Sequence, residues 1–97
     1  MPTYISLLKF TQKGAETLKD GPKRLDSAKQ RFKEAGAQVK AFYLVMGEYD
    51  AVTIIEAPND EVVAKLALAT GMAGNIRTHT MRAFDEADYR KIVASLP

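Results

Sequence analysis

The chain has 97 residues, 46% hydrophobic and 27% charged, with a formal net charge of +2. That suits one globular domain spanning 1–97 and gives no strong electrostatic case for nucleic acid or an anionic membrane as partner. Cysteine is absent, which excludes disulfides, thiolate metal centres and cysteine nucleophiles.

Tyr4–Phe10 (YISLLKF) is short, apolar and rich in strand formers, and predicts the first strand. Thr11 is a candidate cap for a short helical turn running to Leu18, and Asp20-Gly21-Pro22 breaks or bends the chain there. Pro22 suits the first turn of the next helix, where its missing N–H has no partner to lose. Leu25, Ala28, Phe32 and Ala35 then recur three or four apart as one narrow apolar stripe, and Gly36 is a natural stop. Gln38–Met46 and Tyr49–Ala57 read as the second and third strands. Gly47-Glu48 between them fits a two-residue type II′ turn, whose first central residue needs a positive φ. Pro58-Asn59 opens a second long helix with Val62, Val63, Leu66 and Ala67 on one face and Gly71 at its end. Gly74–Phe84 reads as a fourth strand. Asp85 as N-cap, Asp88 three residues on and a Phe84–Tyr89 staple predict a last helix, with Tyr89, Ile92, Val93 and Leu96 as its buried stripe. The order β-α-β-β-α-β plus a terminal helix predicts an α+β, ferredoxin-like sandwich on a four-stranded antiparallel sheet.

In such a sandwich both long helices cover one face of the sheet, and a second face open to water reads polar at alternate positions. The hairpin strands do not. By simple alternation Val39, Ala41, Tyr43 and Val45 point one way and Phe42, Leu44 and Met46 the other; Val52 and Ile54 oppose Ala51, Thr53 and Ile55. A large exposed apolar face is unusual for a monomer. The simplest cover is the same face of a second copy, giving a homodimer or higher homo-oligomer built as a dimeric α/β barrel. The alternative cover is the C-terminal helix folded back over that face.

The string FYLVMGEYDAVTIIEAP resembles the signature of the GYD-domain family, with its Gly-x-Tyr-Asp pattern at Gly47, Tyr49 and Asp50. The resemblance extends over nearly the whole chain, from MPTYISLLKFT through PKR at 22–24 and AKLALA at 64–69 to GNIRTHTMRAF at 74–84. It implies a dimeric α/β-barrel-like protein, in agreement with the argument from the strands.

Tyr49 and Asp50 are adjacent, so in a regular strand they face opposite sides and cannot share a pocket. The preferred reading is a joint, with Asp50 accepting backbone N–H bonds or pairing with an Arg, and Tyr49 covering the core edge. In the fourth strand Thr78, Thr80 and Arg82 share one face and Asn75, Arg77, His79 and Met81 the other. Arg82 is a candidate anion anchor, since a guanidinium grips carboxylate or phosphate bidentately. Arg77 and His79 suit a solvated edge strand. Glu56 would become an acid or base if buried; a place at a strand end near water or a Lys is the commoner one. His79 is the only histidine, and no ligand pair stands at a recognised metal spacing, so no metal is expected. There is no Walker loop and no G-x-G-x-x-G, and no cofactor is expected. The basic run from Lys19 to Lys33 spreads to both sides of its helix's apolar stripe, the pattern of a solvated flank, and nucleic acid is not an expected partner.

The leading functional expectation is a small-molecule-binding module whose dimeric barrel encloses a cavity lined by Tyr43, Thr53, Thr80 and Arg82. The alternatives are a cofactor-independent enzyme acting on a small organic substrate, by analogy of fold alone, and a dimeric assembly module with no ligand. The N-terminus lacks the features of a signal peptide and no stretch is long and apolar enough to span a bilayer, so no membrane partner and a cytoplasmic location are expected.

Overall fold

The computed structural model describes residues 1–97. The strand-forming stretch gives β1, Thr3–Phe10. Thr11 then caps a short helix, α1, Gln12–Glu16, its hydroxyl accepting from the N–H of Gly14 at 3.1 Å. A single 3-10 turn, Leu18–Asp20, leads into α2, Gly21–Glu34, with Pro22 in the first turn where it costs no hydrogen bond. β2 is Gln38–Leu44 and β3 is Ala51–Glu56. Asn59 caps α3, Asp60–Ala73, by accepting from the N–H of Val62 at 3.0 Å. β4 is Ile76–Ala83. Asp85 caps α4, Glu86–Ala94, through a 2.8 Å bond from the N–H of Asp88.

The sheet order is β2-β3-β1-β4 and every neighbouring pair is antiparallel. This is the ferredoxin-like α+β arrangement, with β2 and β4 at the edges. One end of the covered face is packed. Tyr4, Ala37, Ile55, Ala57, Val63 and Leu66 form the buried cluster there, with Phe32 and Val62 against it. At the opposite end α1 seats directly on the turn after α3. The N–H of Thr11 donates to the carbonyl of Asn75 at 3.0 Å and its hydroxyl to that of Gly74 at 2.6 Å. Gly14 makes this approach possible, because a Cβ there would lie 2.0 Å from the Asn75 oxygen.

Four sequence expectations are corrected. The β2–β3 connection is not a two-residue turn. Pairing ends at Leu44↔Ala51, and the loop beyond is closed by Val45 N–H donating to Asp50 C=O at 2.9 Å. Gly47 does take a positive φ, 120°, at the loop tip. β2 carries a bulge between Val39 and Ala41, with Lys40 as the extra residue. The bulge resets the alternation, so Val39 and Phe42 share the covered face while Ala41 and Tyr43 face away. α3 runs past Gly71 to Ala73 and is ended by Gly74 in a left-handed conformation. Finally, the apolar stripe of α4 is not buried. Tyr89, Ile92, Val93 and Leu96 are 46–63% exposed, so α4 does not cover the open face of the sheet.

Candidate functional site

The midline of the covered face carries hydroxyls rather than aliphatic groups. Ser6 on β1 pairs with Thr53 on β3 and with Thr80 on β4, which places three hydroxyl residues in one row across three strands. Ser6 and Thr53 are 3% and 7% exposed, and the Ser6 and Thr80 oxygens are hydrogen-bonded at 2.8 Å. Thr78 stands two residues from Thr80 on the same face. Side chains this short cannot reach the helices. The stripe of α2, meanwhile, turns toward the sheet through Leu25, Ala28 and Phe32, all only half-buried. Between floor and helices lies a cavity of about 690 Å³, within the roughly 300–1,000 Å³ range of sites for small organic molecules.

The cavity wall is cation-rich. Lys23, Arg24 and Arg31 of α2 line it, against Asp20 as its one carboxylate. Arg24 is anchored, not free. Its two terminal nitrogens donate to the carbonyl and hydroxyl of Thr17 at 3.1 Å and to the carbonyl of Gly14 at 3.3 Å. Its Nε is buried and has no partner. A buried N–H left unpaired costs about 1–3 kcal/mol, more on a charged group.

The open face has the opposite character. Ile5, Leu7, Val52 and Ile54 alternate with the inward residues and form a half-covered aliphatic patch at its centre. At one side Tyr49 meets His79 edge-to-face, ring centroids 6.4 Å apart, and Lys9 Nζ lies 5.8 Å from the Tyr49 centroid. Beyond the packed end of the covered face, the buried Tyr4 hydroxyl donates to the carboxylate of Asp60. Desolvation, then that hydrogen bond and the Asp60 charge, push the Tyr4 phenol above its ordinary 10.0, and Arg82 pulls weakly the other way.

Of the four residues expected to line a barrel between two sheets, Thr53 and Thr80 instead face the cavity on the helix side. Tyr43 does not: it pairs with Val52 on the open face and is 60% exposed. The bulge in β2 and the pleat put Tyr43 and Thr53 on opposite sides, so they cannot share a chamber. Arg82 is also outside. Its guanidinium lies 4.5 Å from the Phe84 centroid and 5.7 Å from that of Tyr4, and donates to the carbonyls of Thr3 and Ala83. Asp50 accepts from the backbone N–H of Phe10 at 2.9 Å and donates its own N–H to the carbonyl of Leu8 at 2.8 Å, tying the motif loop to β1. Glu56 ends β3 beside Lys40 at 3.4 Å. No group of three His, Cys, Asp or Glu side chains converges anywhere, and no helix is long and apolar enough to cross a membrane.

Sequence reasoning missed Ser6, Thr78, Phe42 and Arg24 as cavity residues. A signal existed for the first. Ser6 stands between Tyr4 and Leu8 on the inward alternation of β1, where an aliphatic residue is the norm. Arg24 gave none, since it reads as one more charge on an amphipathic helix.

A four-stranded antiparallel sheet with two helices over one face, a hollow polar-floored core and a bare aliphatic second face defines an α+β module of the ferredoxin-like class. Residues 4–93 match the model of the GYD domain, and the chain belongs to that family. It is 38% identical over 89 residues to the glutamine synthetase and cystathionine beta-lyase binding protein of Thermus thermophilus, covering 91% of this chain and 94% of that one. Among solved structures it resembles the feast or famine regulatory protein of M. tuberculosis complexed with L-methionine. The TM-score is 0.66 at 16% identity, over 88% of this chain and 51% of the regulator, so the chain spans about half that protein's length. It also resembles FFRP-DM1, with a TM-score of 0.61 at 21% identity, over 87% of this chain and all of that one.

Proposed function

We propose that the chain is a small-molecule-binding module, with one ligand chamber between the sheet and helices of each subunit, and that two subunits pair through the open sheet face. The observation that carries this reading is the inversion of the two faces. Ser6, Thr53 and Thr80 lie beneath a cavity of about 690 Å³, while Ile5, Leu7, Val52 and Ile54 are only half-covered within the chain. Hydroxyls under a hollow are sites for a polar guest. Aliphatic side chains on a bare sheet face are sites for a second copy. The dimer expected from the strands is kept in this form, and the chamber moves from between two sheets to the helix side of each. Of the expected lining residues, Thr53 and Thr80 stay in the site. Binding is preferred to catalysis because the Ser6 hydroxyl is matched with another hydroxyl, Thr80, and not with a base. Native mass spectrometry of protein purified from its own cells tests both halves. A dimer carrying retained small-molecule mass supports the reading, and a ligand-free monomer overturns it.

A second reading is favoured by the T. thermophilus relative, whose name makes it a binding partner of two enzymes. Docking onto an enzyme of amino-acid metabolism is compatible with a ligand chamber, and the exposed stripe of α4 offers a surface for it. Surface-plasmon titration against glutamine synthetase and cystathionine beta-lyase from the same cells tests it: saturable binding supports docking, and a flat response to both removes it.

A further inference from the structure

We infer that the chamber takes a neutral carbonyl compound, an apolar body whose one carbonyl oxygen seats on the hydroxyls of Thr53 and Ser6. The inference rests on the chamber being a binding site at all, and it adds the chemistry of the occupant. Three observations support it. The first is an unmatched floor. Thr53 is only 7% exposed and lines the chamber, and its hydroxyl makes no hydrogen bond. Arg24 Nε is the one buried side-chain nitrogen or oxygen sealed without a partner. The Thr53 oxygen therefore keeps some open surface, and the chamber is what it opens on. Ser6, directly across from Thr53, shares one bond with Thr80 at 2.8 Å. Two hydroxyls carry two protons and that bond uses one. With Thr80 donating to Ser6, the free protons of Ser6 and Thr53 stand on cross-strand neighbours about 5 Å apart. Both can point at one guest oxygen, and a carbonyl oxygen accepts two bonds. The second observation is charge. The terminal nitrogens of Arg24 are committed to Thr17 and Gly14, and Lys23 and Arg31 are exposed to water on α2. A carboxylate on the floor would be buried without a counter-charge, which is costly. The third is the rest of the wall, where Leu8, Leu25, Phe32, Phe42 and Ile76 offer contact to an apolar body and no hydrogen bond. A hydrocarbon would leave both floor donors unmatched, and a free amino acid or polyol would bury further polar groups against that wall.

The test compares three probes of one shape: acetonaphthone, ethylnaphthalene, which lacks the oxygen, and naphthoate, which carries a charge in its place. Each is brought to equilibrium dialysis against the full chain below its solubility limit. The ketone is expected to bind about tenfold tighter than the hydrocarbon, and tighter than the carboxylate. Equal affinities for ketone and hydrocarbon, or a preference for the carboxylate, would leave the chamber reading standing and overturn the carbonyl. Binding of none would overturn the chamber reading itself and the inference with it. Thr53→Val keeps the shape and removes one donor, so it should shrink the ketone's advantage by about threefold or more. Thr53→Ser, which keeps the hydroxyl, should restore it. A full advantage in Thr53→Val would overturn the seat on Thr53. Ala28→Phe, which fills the chamber from α2, should abolish binding of all three; retained binding would place the ligand elsewhere and sink the reading. The wild-type comparison needs no variant, and on its own it can overturn the carbonyl.

Discussion

The two faces of the sheet are made by the same strands and solve opposite problems. On the covered side, Tyr4, Ile55, Val63 and Leu66 pack tightly at one end, while Ser6, Thr53 and Thr80 leave the other end hollow. On the uncovered side, where water would favour hydroxyls, stand Ile5, Leu7, Val52 and Ile54. Swapping the two sets would improve an isolated monomer by ordinary burial arithmetic, since each buried aliphatic side chain is worth about 1.5–3 kcal/mol. Such an arrangement makes physical sense when something outside the chain occupies each side: a guest in the chamber and a partner on the open face. A core residue's polarity is therefore informative only together with what lies above it.

The largest expected effect separates the packed end of the covered face from the hollow end. Leu66→Ala should lower the unfolding free energy by about 2–5 kcal/mol, as for a well-packed leucine. Phe42→Ala, at the hollow end and already half-exposed, should cost less than half as much. Urea denaturation of both variants measures the gap, and equal losses would mean that the chamber collapses into a packed core in solution.

Next in size is the contrast between faces. Ile54→Lys places an ammonium in the centre of the aliphatic patch. It should weaken association by about 2–4 kcal/mol, because a charge would be buried without a partner, and leave a folded monomer. Sedimentation across a concentration series reads it. An unchanged dimer would move the interface off this face, and unfolding instead of dissociation would show that the patch is buried within the chain.

A smaller effect concerns Tyr4. Losing its hydrogen bond to Asp60, Tyr4→Phe should cost about 1 kcal/mol at neutral pH. The phenol keeps its proton in the fold above the ordinary 10.0. Between that value and the higher folded one, the unfolded chain binds fewer protons than the native state, so stability falls as pH rises. Tyr4's contribution is whole below about pH 10 and is lost as pH climbs through the folded value. The gap between wild type and Tyr4→Phe should therefore narrow above pH 10; a constant gap would mean that the folded phenol titrates normally.

The smallest effect lies on the chamber floor. Thr53→Val keeps the shape and removes the hydroxyl, and should change the unfolding free energy by less than about 1 kcal/mol in either direction. A loss as large as that of Leu66→Ala would show the Thr53 hydroxyl to be part of the structural core, not of a vacant floor.

Much was legible before any tertiary contact. Four strands, two long helices and a terminal one follow from period, caps and breakers. Thr11, Asn59 and Asp85 each cap the helix they were expected to open or precede. Asp50 accepts a backbone N–H, the kind of bond proposed for it. These are local events, decided within a few residues by hydrogen-bond geometry, so the chain carries them in plain view. The four residues expected to line a barrel between two sheets do not share one face. Thr53 and Thr80 sit on strands whose alternation is unbroken, and they reach the chamber wall. Tyr43 lies beyond the bulge at Lys40, where one extra residue reversed the parity expected from Val39.

What the sequence alone determined is the order of elements, their ends and the amphipathic stripes, because propensity, capping and periodicity act at short range. Tertiary structure decided which side of each stripe has a partner. The stripe of α4 looks like a buried seam and is bare, and the stripe of α2 looks like a packed seam and roofs a cavity. Arg24 looks like a solvated helix charge, and the docking of α1 against its flank turns it into a buried donor. Each outcome depends on the distance between elements far apart in the chain, and a one-dimensional pattern does not encode that distance.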